Sequence, residues 1–404
     1  MHTKIGAILL VAGTCIGSGM ISLPMVLAKL GLIPSIVLML FIWSIMYYTS
    51  LINLELNLQA GQGLALGALG KLFAGKTAEL IGTTSLKLLS YSLLAVFISG
   101  GSSVAQDLIA AKTSIEYSFN TISMCYAFVV MVVLLLPIQL IDHLNRLLFL
   151  GLLGVVAILM SGLALTVAWS DIPLFSERYH EVGVWATLIS VVFTSFGFQV
   201  IFHTLANYCN MDKKTLKQAF LWGSLIPAIV YILWTCSLLS TVYHANPSFY
   251  IQMSEGQIGV GDLIQVLGGI AKWQSVQLLV WWISSLALAT SVLGVGIGLC
   301  GTLKRMISKV ISNPRVCHTL ASIMTVMPAY LVVIYVPNAF IAVLGFAGMI
   351  LAVIAILLPV YLLRRIKPEK LFYPELKRKS LIQLSLIVGV AVIACEGFNM
   401  LYGR

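Results

Sequence analysis

The stretch VAGTCIGSGMISLP, residues 11–24, lies in the first membrane-length apolar run and holds Gly13, Gly17, Gly19 and Pro24, with Thr14 and Ser18 among them. A helix that only has to sit in lipid is better built from alanine or leucine. Glycine costs a helix interior about 1 kcal/mol, and proline costs about 3. Two readings fit. In one, Ala12, Gly13 and Gly17 form a small-residue face for close helix packing. In the other, the helix is interrupted in mid-membrane so that backbone groups meet a ligand.

The rest of the chain sets the frame for that choice. It has 404 residues, 60% apolar and 9% charged, against roughly 25% charged in soluble domains. Apolar runs of about 20 residues, each able to cross roughly 30 Å of hydrocarbon, recur from end to end. Barrel strands need only about 10 alternating residues, so these long continuous runs exclude a barrel. The expected fold is an all-α polytopic membrane protein with eleven transmembrane helices over 5–28, 33–57, 85–110, 121–140, 146–170, 182–206, 218–243, 277–301, 316–335, 338–363 and 380–402. The first run continues past signal-peptide length and has no convincing small-residue cleavage site, so it is read as a span. Seven cysteines lie scattered without metal-ligand spacing and read as small core residues, with no metal site and no disulfide framework expected.

Orientation follows from the connections. Of the 24 Lys and Arg residues, 18 fall on the side of the N-terminus, five on the other, and Lys87 just inside the third span. The N-terminus is therefore expected to be cytoplasmic and, after eleven crossings, the C-terminus outside. The net charge of +10 is one-sided, strongest in RRIKPEKLFYPELKRK, residues 364–379. It reads as an orientation signal facing anionic lipid and not as a nucleic-acid surface. The long outer connection 244–276 includes an amphipathic piece, GDLIQVLGGIAKW, suited to lying over the outer mouth.

Spans one to five and six to ten start with matching spacing, each offset by 177 to 195 residues. An odd number of crossings per half reverses direction, so the spacing implies a five-plus-five inverted repeat. Residues 1–170 form the first repeat, 182–363 the second, and 380–402 an accessory eleventh helix. Such repeats place broken helices at equivalent positions near the midplane. The sequence meets this expectation: the first helix of the second half carries FTSFGF, residues 193–198, to match AGTCIGSG, residues 12–19. Free N–H groups at one half-helix start and free C=O groups at another half-helix end suit a carboxylate and an ammonium, and so a zwitterion.

At this point the residues carry a resemblance. AGTCIGSGMISLP, VVFTSFGF, GSLIPAIVYILW (223–234) and LALATSVLGVGIGL (286–299) closely resemble the hydroxy and aromatic amino acid permease family, within the amino acid, polyamine and organocation superfamily. The resemblance runs essentially end to end. It implies a bacterial inner-membrane secondary carrier that imports tyrosine or tryptophan by proton symport through alternating access. The proton gradient is its energy source and no cofactor is needed. Its partners are the aromatic substrate and the bilayer, with no obligate protein partner. By position, the backbone of Ile16, Gly17, Ser18 and Gly19 receives the carboxylate. Carbonyls around Ala12, Gly13, Phe193 and Thr194 receive the ammonium, with Thr14, Ser195 and Gly197 in the same two breaks. Phe196 and Phe198 are candidates to pack on the ring, and Tyr91 and Ser99 of the third span candidates to line the cavity. Members commonly have a histidine directly after FTSFGF, where this chain has Gln199 and then His203; some carry a lysine in the fifth span, which this chain lacks.

Thr290 and Ser291 read either as a sodium site, as in sodium-coupled relatives of the superfamily, or as hydrogen-bonding groups between helices. Proton coupling needs a titrating group within the bundle. Glu55 is the leading candidate and His203 the second, followed by Asp107 and Glu396 near the outer ends of their spans. The rival classes are a sodium-coupled symporter, a channel and a non-transporting sensor. An enzyme is not expected: there is no HExxH, no paired intramembrane carboxylates and no consistent Ser, His and Asp spacing.

Overall fold

The computed structural model describes residues 2–17, 19–113, 117–166, 173–260, 262–263, 266, 274–336 and 339–402. Every regular element among them is helical. The first run is a bent pair, α1 (His2–Cys15) and α2 (Gly19–Leu27), whose axes differ by 47°. It is followed by α3 (Leu32–Ala60), α4 (Leu66–Ala74), α5 (Lys76–Thr113), α6 (Phe119–Leu134) and α7 (Ile138–Thr166). The sixth run is interrupted: α8 (Val182–Ser195) passes through a 3₁₀ turn, Gln199–Ile201, into α9 (Phe202–Tyr208). Then come α10 (Lys213–Ala245), α11 (Pro247–Glu255), α12 (Gln274–Ile307) and α13 (Pro314–Tyr335). Last are α14 (Ala339–Ala352), a π turn at Val353–Leu357, α15 (Leu358–Arg365) and α16 (Lys379–Tyr402).

Among the described residues eight segments are long and apolar enough to cross a membrane, counting α8 with α9 and α14 with α15 as one each. The bent pair adds a ninth, and α6 and the 143–158 part of α7 are shorter apolar helices. The expected eleven spans are thus not all found among the described residues, since α6 and the apolar part of α7 are short, and two local differences have physical causes. The connection before the third span is largely helical, because α4 lies flat against the start of α5 where both carry glycine. A Cβ at Gly82 would come 2.9 Å from Gly67 Cα, and one at Gly70 2.6 Å from Ala78 O, so only small residues allow this approach. α11 is nucleated by Asn246, whose side chain accepts from Phe249 N, with Pro247 at the first turn. Of the amphipathic piece 261–273, only Asp262, Leu263 and Val266 are among the described residues.

The bundle is organised around a few buried helices. α5 packs against α6, α12, α13 and α14; α10 runs along α1 and α3 and reaches α2; α8 is held between α14, α16 and α2. Cys15, Cys209, Cys236, Cys300 and Cys317 are buried within this packing.

Two connections close the ends. On the face rich in Lys and Arg, the loop between α15 and α16 is tied down. Tyr48 Oη donates to Leu376 O at 2.6 Å, Gln59 Nε2 to Lys370 O at 2.6 Å, and Lys213 sits over the Phe372 ring at 3.5 Å. On the other face, Leu32 N and Ile33 N donate to Pro173 O and Leu174 O, and Ser176 N donates to Leu30 O. This backbone clasp joins the α2–α3 turn to the entry of α8. Gly31 makes the approach possible, with φ +84° and Phe175 Cα 2.6 Å from where its Cβ would be.

Candidate functional site

The interruption of the first run begins where α1 ends. Ile16 and Gly17 form a turn, with Ile16 N donating to Ala12 O at 2.9 Å and Gly17 N to Cys15 O at 2.8 Å. Ser18 lies outside the described residues. α8 of the sixth run also ends in a turn. Phe196 N donates to Phe193 O and Gly197 N to Thr194 O at 2.9 Å, and Phe198 stands outside helical geometry at φ −114°, ψ 12°. A helix end leaves its last carbonyls without intrahelical partners, and one side chain serves the orphans of both breaks. The hydroxyl of Tyr231, fully buried in α10, donates to Cys15 O and lies 3.3 Å from Ser195 O.

The two breaks are therefore neighbours in space. A Cβ on Gly19 would strike the Tyr231 hydroxyl, would come 2.6 Å from its Cζ, and would sit 3.0 Å from Ser195 Cβ. Phe196 packs edge-on to Tyr231, with ring centroids 5.6 Å apart. One turn along α10 from Tyr231, Trp234 Nε1 donates to Met20 O at 2.6 Å, holding the first turn of α2. Across the break, a Cβ on Gly17 would come 2.5 Å from Ser291 Oγ and 3.7 Å from the Phe97 ring. α2, α5, α8, α10 and α12 thus converge on Gly17, Gly19 and Ser195.

The other expected site residues are distributed as follows. Ala12 and Ile16 are buried, and Gly13 faces the Phe149 ring of α7, 2.5 Å from the position of an added Cβ. The Thr14 and Ser195 hydroxyls turn back onto their own helices, to Leu10 O and Val191 O. Thr194 Oγ1 bonds Ser190 O and also Leu344 O of α14 at 3.0 Å, and Gly197 lies against Leu351. Phe193, Phe196 and Phe198 are all fully buried, but in different surroundings. Phe198 belongs to a second cluster with Phe202 and Phe220, centroids 5.3 and 5.8 Å away, on the basic side of the break. Tyr91 is also elsewhere: its hydroxyl donates to Met324 O of α13 at 2.8 Å. Ser99 is buried on α5, two residues beyond Phe97, and positions two apart on a helix point to opposite sides. Thr290 Oγ1 is turned to Leu286 O and Ala287 O of its own helix, whereas Ser291 faces Gly17.

Glu55 is buried on α3 near the basic face. Its Oε1 accepts from Phe372 N and its Oε2 from Tyr373 N, both at 3.0 Å, and Gln59 adds a third bond at 2.8 Å. Both oxygens hold the loop that precedes α16. His203 on α9 lines, with Asn53 and Gln199, a cavity of about 10 Å³ between α3 and the basic half of the sixth run, the size of one water. Asn53 Nδ2 and Gln199 Oε1, a donor and an acceptor, are buried there without a protein partner.

Three residues at the breaks were not singled out from sequence: Tyr231, Trp234 and Phe97. Tyr231 and Trp234 lie in the quoted motif GSLIPAIVYILW. Each carries one polar group in the middle of an apolar span, but nothing in the sequence says that it faces the breaks.

Comparison with known proteins shows the family. Residues 1–396 match the family profile described as the tryptophan/tyrosine permease family. Tyrosine-specific transport system 1 of Haemophilus influenzae is 28% identical over 90% of this chain and 88% of its own. Tyrosine-specific transport system 2 of the same organism is 27% identical over 96% and 94%. Glutamine transporter 2 of Aliivibrio fischeri is 27% identical over 97% and 98%.

Proposed function

Because the chain belongs to the tryptophan/tyrosine permease family, a family of transporters with several membrane-spanning helices, we propose that it imports tyrosine or tryptophan across the bacterial inner membrane by proton symport. The observation that carries this reading is the meeting of two helix breaks at one buried hydroxyl, Tyr231 Oη, between Cys15 O and Ser195 O. The substrate carboxylate is received at the start of α2, from Gly19 on, and the Ile16 and Gly17 N–H groups, bonded here to Ala12 O and Cys15 O, join it when that turn opens. The carbonyls that end α1 and α8 offer acceptors to its ammonium. Phe97, Phe196 and Tyr231 offer ring faces and edges for an aromatic side chain, where such contacts add about 0.5–1.5 kcal/mol beyond burial.

Residues 1–170 and 182–363 act as an inverted pair with the breaks at their interface, and relative rocking of the halves exposes the site to each side in turn. The basic face is cytoplasmic, as the excess of Lys and Arg there supports. Glu55 and His203 are the coupling candidates on that side. Protonation of Glu55 turns one acceptor oxygen into a donor and releases Phe372 N or Tyr373 N, which links charge to the loop before α16. The sodium-coupled reading draws on one observation, Ser291 Oγ facing Gly17.

The test is uptake of labelled tyrosine and tryptophan into proteoliposomes with proton and sodium gradients imposed separately, and with glutamine among the competitors. Saturable aromatic uptake driven by the proton gradient is expected. Saturable uptake under sodium alone selects the sodium-coupled reading, and no aromatic uptake under either gradient overturns the proposal.

A further inference from the structure

Glu396, in the last helix, takes no part in the site above, and its surroundings are unusual for a carboxyl. It lies six residues from the end of α16, 4% exposed. α8, α14 and the π turn, which pack along α16, carry no titratable side chain. The turn Pro374–Lys377 touches α16 at the opposite end, where Lys379 also lies. The adjacent titratable group is Cys395, on the same helix. Among the described residues no Lys, Arg or His pairs with Glu396; it receives Asn399 Nδ2 at 3.4 Å, and beside it stands the Ser190 hydroxyl of α8, which donates to Val392 O at 3.4 Å.

An ionised carboxylate at this depth is left uncompensated, since one amide and one hydroxyl do not replace a cation or water. A carboxyl that holds a proton fits, because it needs no cation. The space is made for it: a Cβ on Gly345 of α14 would come 2.5–2.8 Å from its three terminal atoms. The same seam leads inward to the break. Ser190 is one turn from Thr194, whose hydroxyl bonds Leu344 O, the neighbour of Gly345. The group is thus wedged between α14 and the outer half of the interrupted helix.

We propose that Glu396 is a proton-binding site of the carrier, loaded when α8, α14 and α16 are closed together as here and unloaded when α8 moves away from that seam. On unloading, the carboxyl O–H bond breaks, its electron pair stays on oxygen and the proton passes to water entering the seam. Reloading is the reverse. This rests on the proton-coupled reading above and adds a coupling residue to it, on the helix that lies outside both repeats.

Full-length protein in proteoliposomes, with membrane potential clamped to zero, tests it through three readouts: counterflow exchange, accumulation driven by an inward proton gradient, and substrate-linked acidification of a trapped pH dye. With a gradient of about one pH unit, one-proton symport supports about tenfold accumulation in the wild type. Glu396→Gln is expected to keep counterflow, with its pH dependence flattened, and to lose both accumulation and acidification; Glu396→Asp is expected to recover part of the acidification. Acidification at the wild-type level in Glu396→Gln overturns the inference alone. Wild-type vesicles with no acidification from any aromatic amino acid overturn the proton-coupled reading, and the inference with it. Should Glu396→Gln lose counterflow as well, the wild type decides: a hydrophobic carbodiimide, which modifies protonated carboxyls, is expected to label Glu396 near neutral pH, at a rate that transported substrate changes. No label at Glu396 overturns the inference.

Discussion

Tyr231 shows how one atom can hold two interrupted helices in register. Its ring is fully buried and its hydroxyl is the donor shared by Cys15 O and Ser195 O. Tyr231→Phe keeps the shape and removes the donor, leaving a buried acceptor unmet at a cost of about 1–3 kcal/mol. A lower unfolding midpoint in detergent, with reduced substrate affinity, is the expected outcome. Gly19→Ala should be at least as damaging, since its methyl collides with both Tyr231 and Ser195. Gly17→Leu should abolish uptake while the protein still inserts, because Ser291 and Phe97 leave no room for the side chain; normal uptake by that variant would refute a backbone-built site. Gly17 and Gly19 were legible in the sequence because glycine has few other reasons to sit in such a helix. Tyr231 was not, since periodicity cannot say which face of an apolar span meets a neighbour, and aromatics are common in membrane helices. Phe198 was grouped with Phe196 as one motif, yet helical geometry is lost between them and their rings go to different clusters.

At the level of elements, each break is local and held from outside. α1 and α2 stop and restart within three residues, and α10 supplies both the Tyr231 hydroxyl and the Trp234 indole that fix them. The two interruptions were readable as paired glycine and hydroxyl clusters, whereas α4 was not. Its sequence ALGALGKLFAG has too few apolar residues for a span, and it is helical because glycines on both partners let it settle on α5. The loop before α16 is the element most dependent on a single side chain. Glu55→Ala removes the acceptors of Phe372 N and Tyr373 N, so amide exchange at these two positions should rise several-fold while that of the α3 core is unchanged. Unaltered exchange would show that Tyr48, Gln59 and the Lys213 cation–π contact suffice alone.

For the whole molecule, charge and connectivity set the boundary conditions. Charge asymmetry predicts sidedness, which two exposed positions test. Val310, 87% exposed beside Lys309, and Val182, 80% exposed at the entry of α8, should react from opposite sides. With the exposed Cys125 replaced by serine, an impermeant thiol reagent on intact cells should label Val182→Cys and spare Val310→Cys until the cells are permeabilised. The reverse pattern would invert the orientation. That the chain is a series of long apolar helices follows from composition and length, because hydrocarbon thickness fixes how many residues a helix needs; their number does not, since eleven spans are expected and the described residues show eight, or nine with the bent pair. Which helices touch is set by side-chain shape and a few polar bonds, as with Thr194 and Leu344 O, and no single-sequence pattern encodes that.

The clasp between residues 30–33 and 173–176 has a mechanical meaning. It rivets the turn after the first broken helix to the lead-in of the second, using backbone bonds at a glycine where no side chain fits. Two levers fastened near one end sweep a small arc there and a wide one at the far end. In the proposed alternating-access cycle, the clasped face should therefore open by a narrow parting of neighbouring helix ends, and the basic face by a broad swing. A crosslink across the clasp should then leave transport nearly intact, while one of equal length on the basic face should stop it.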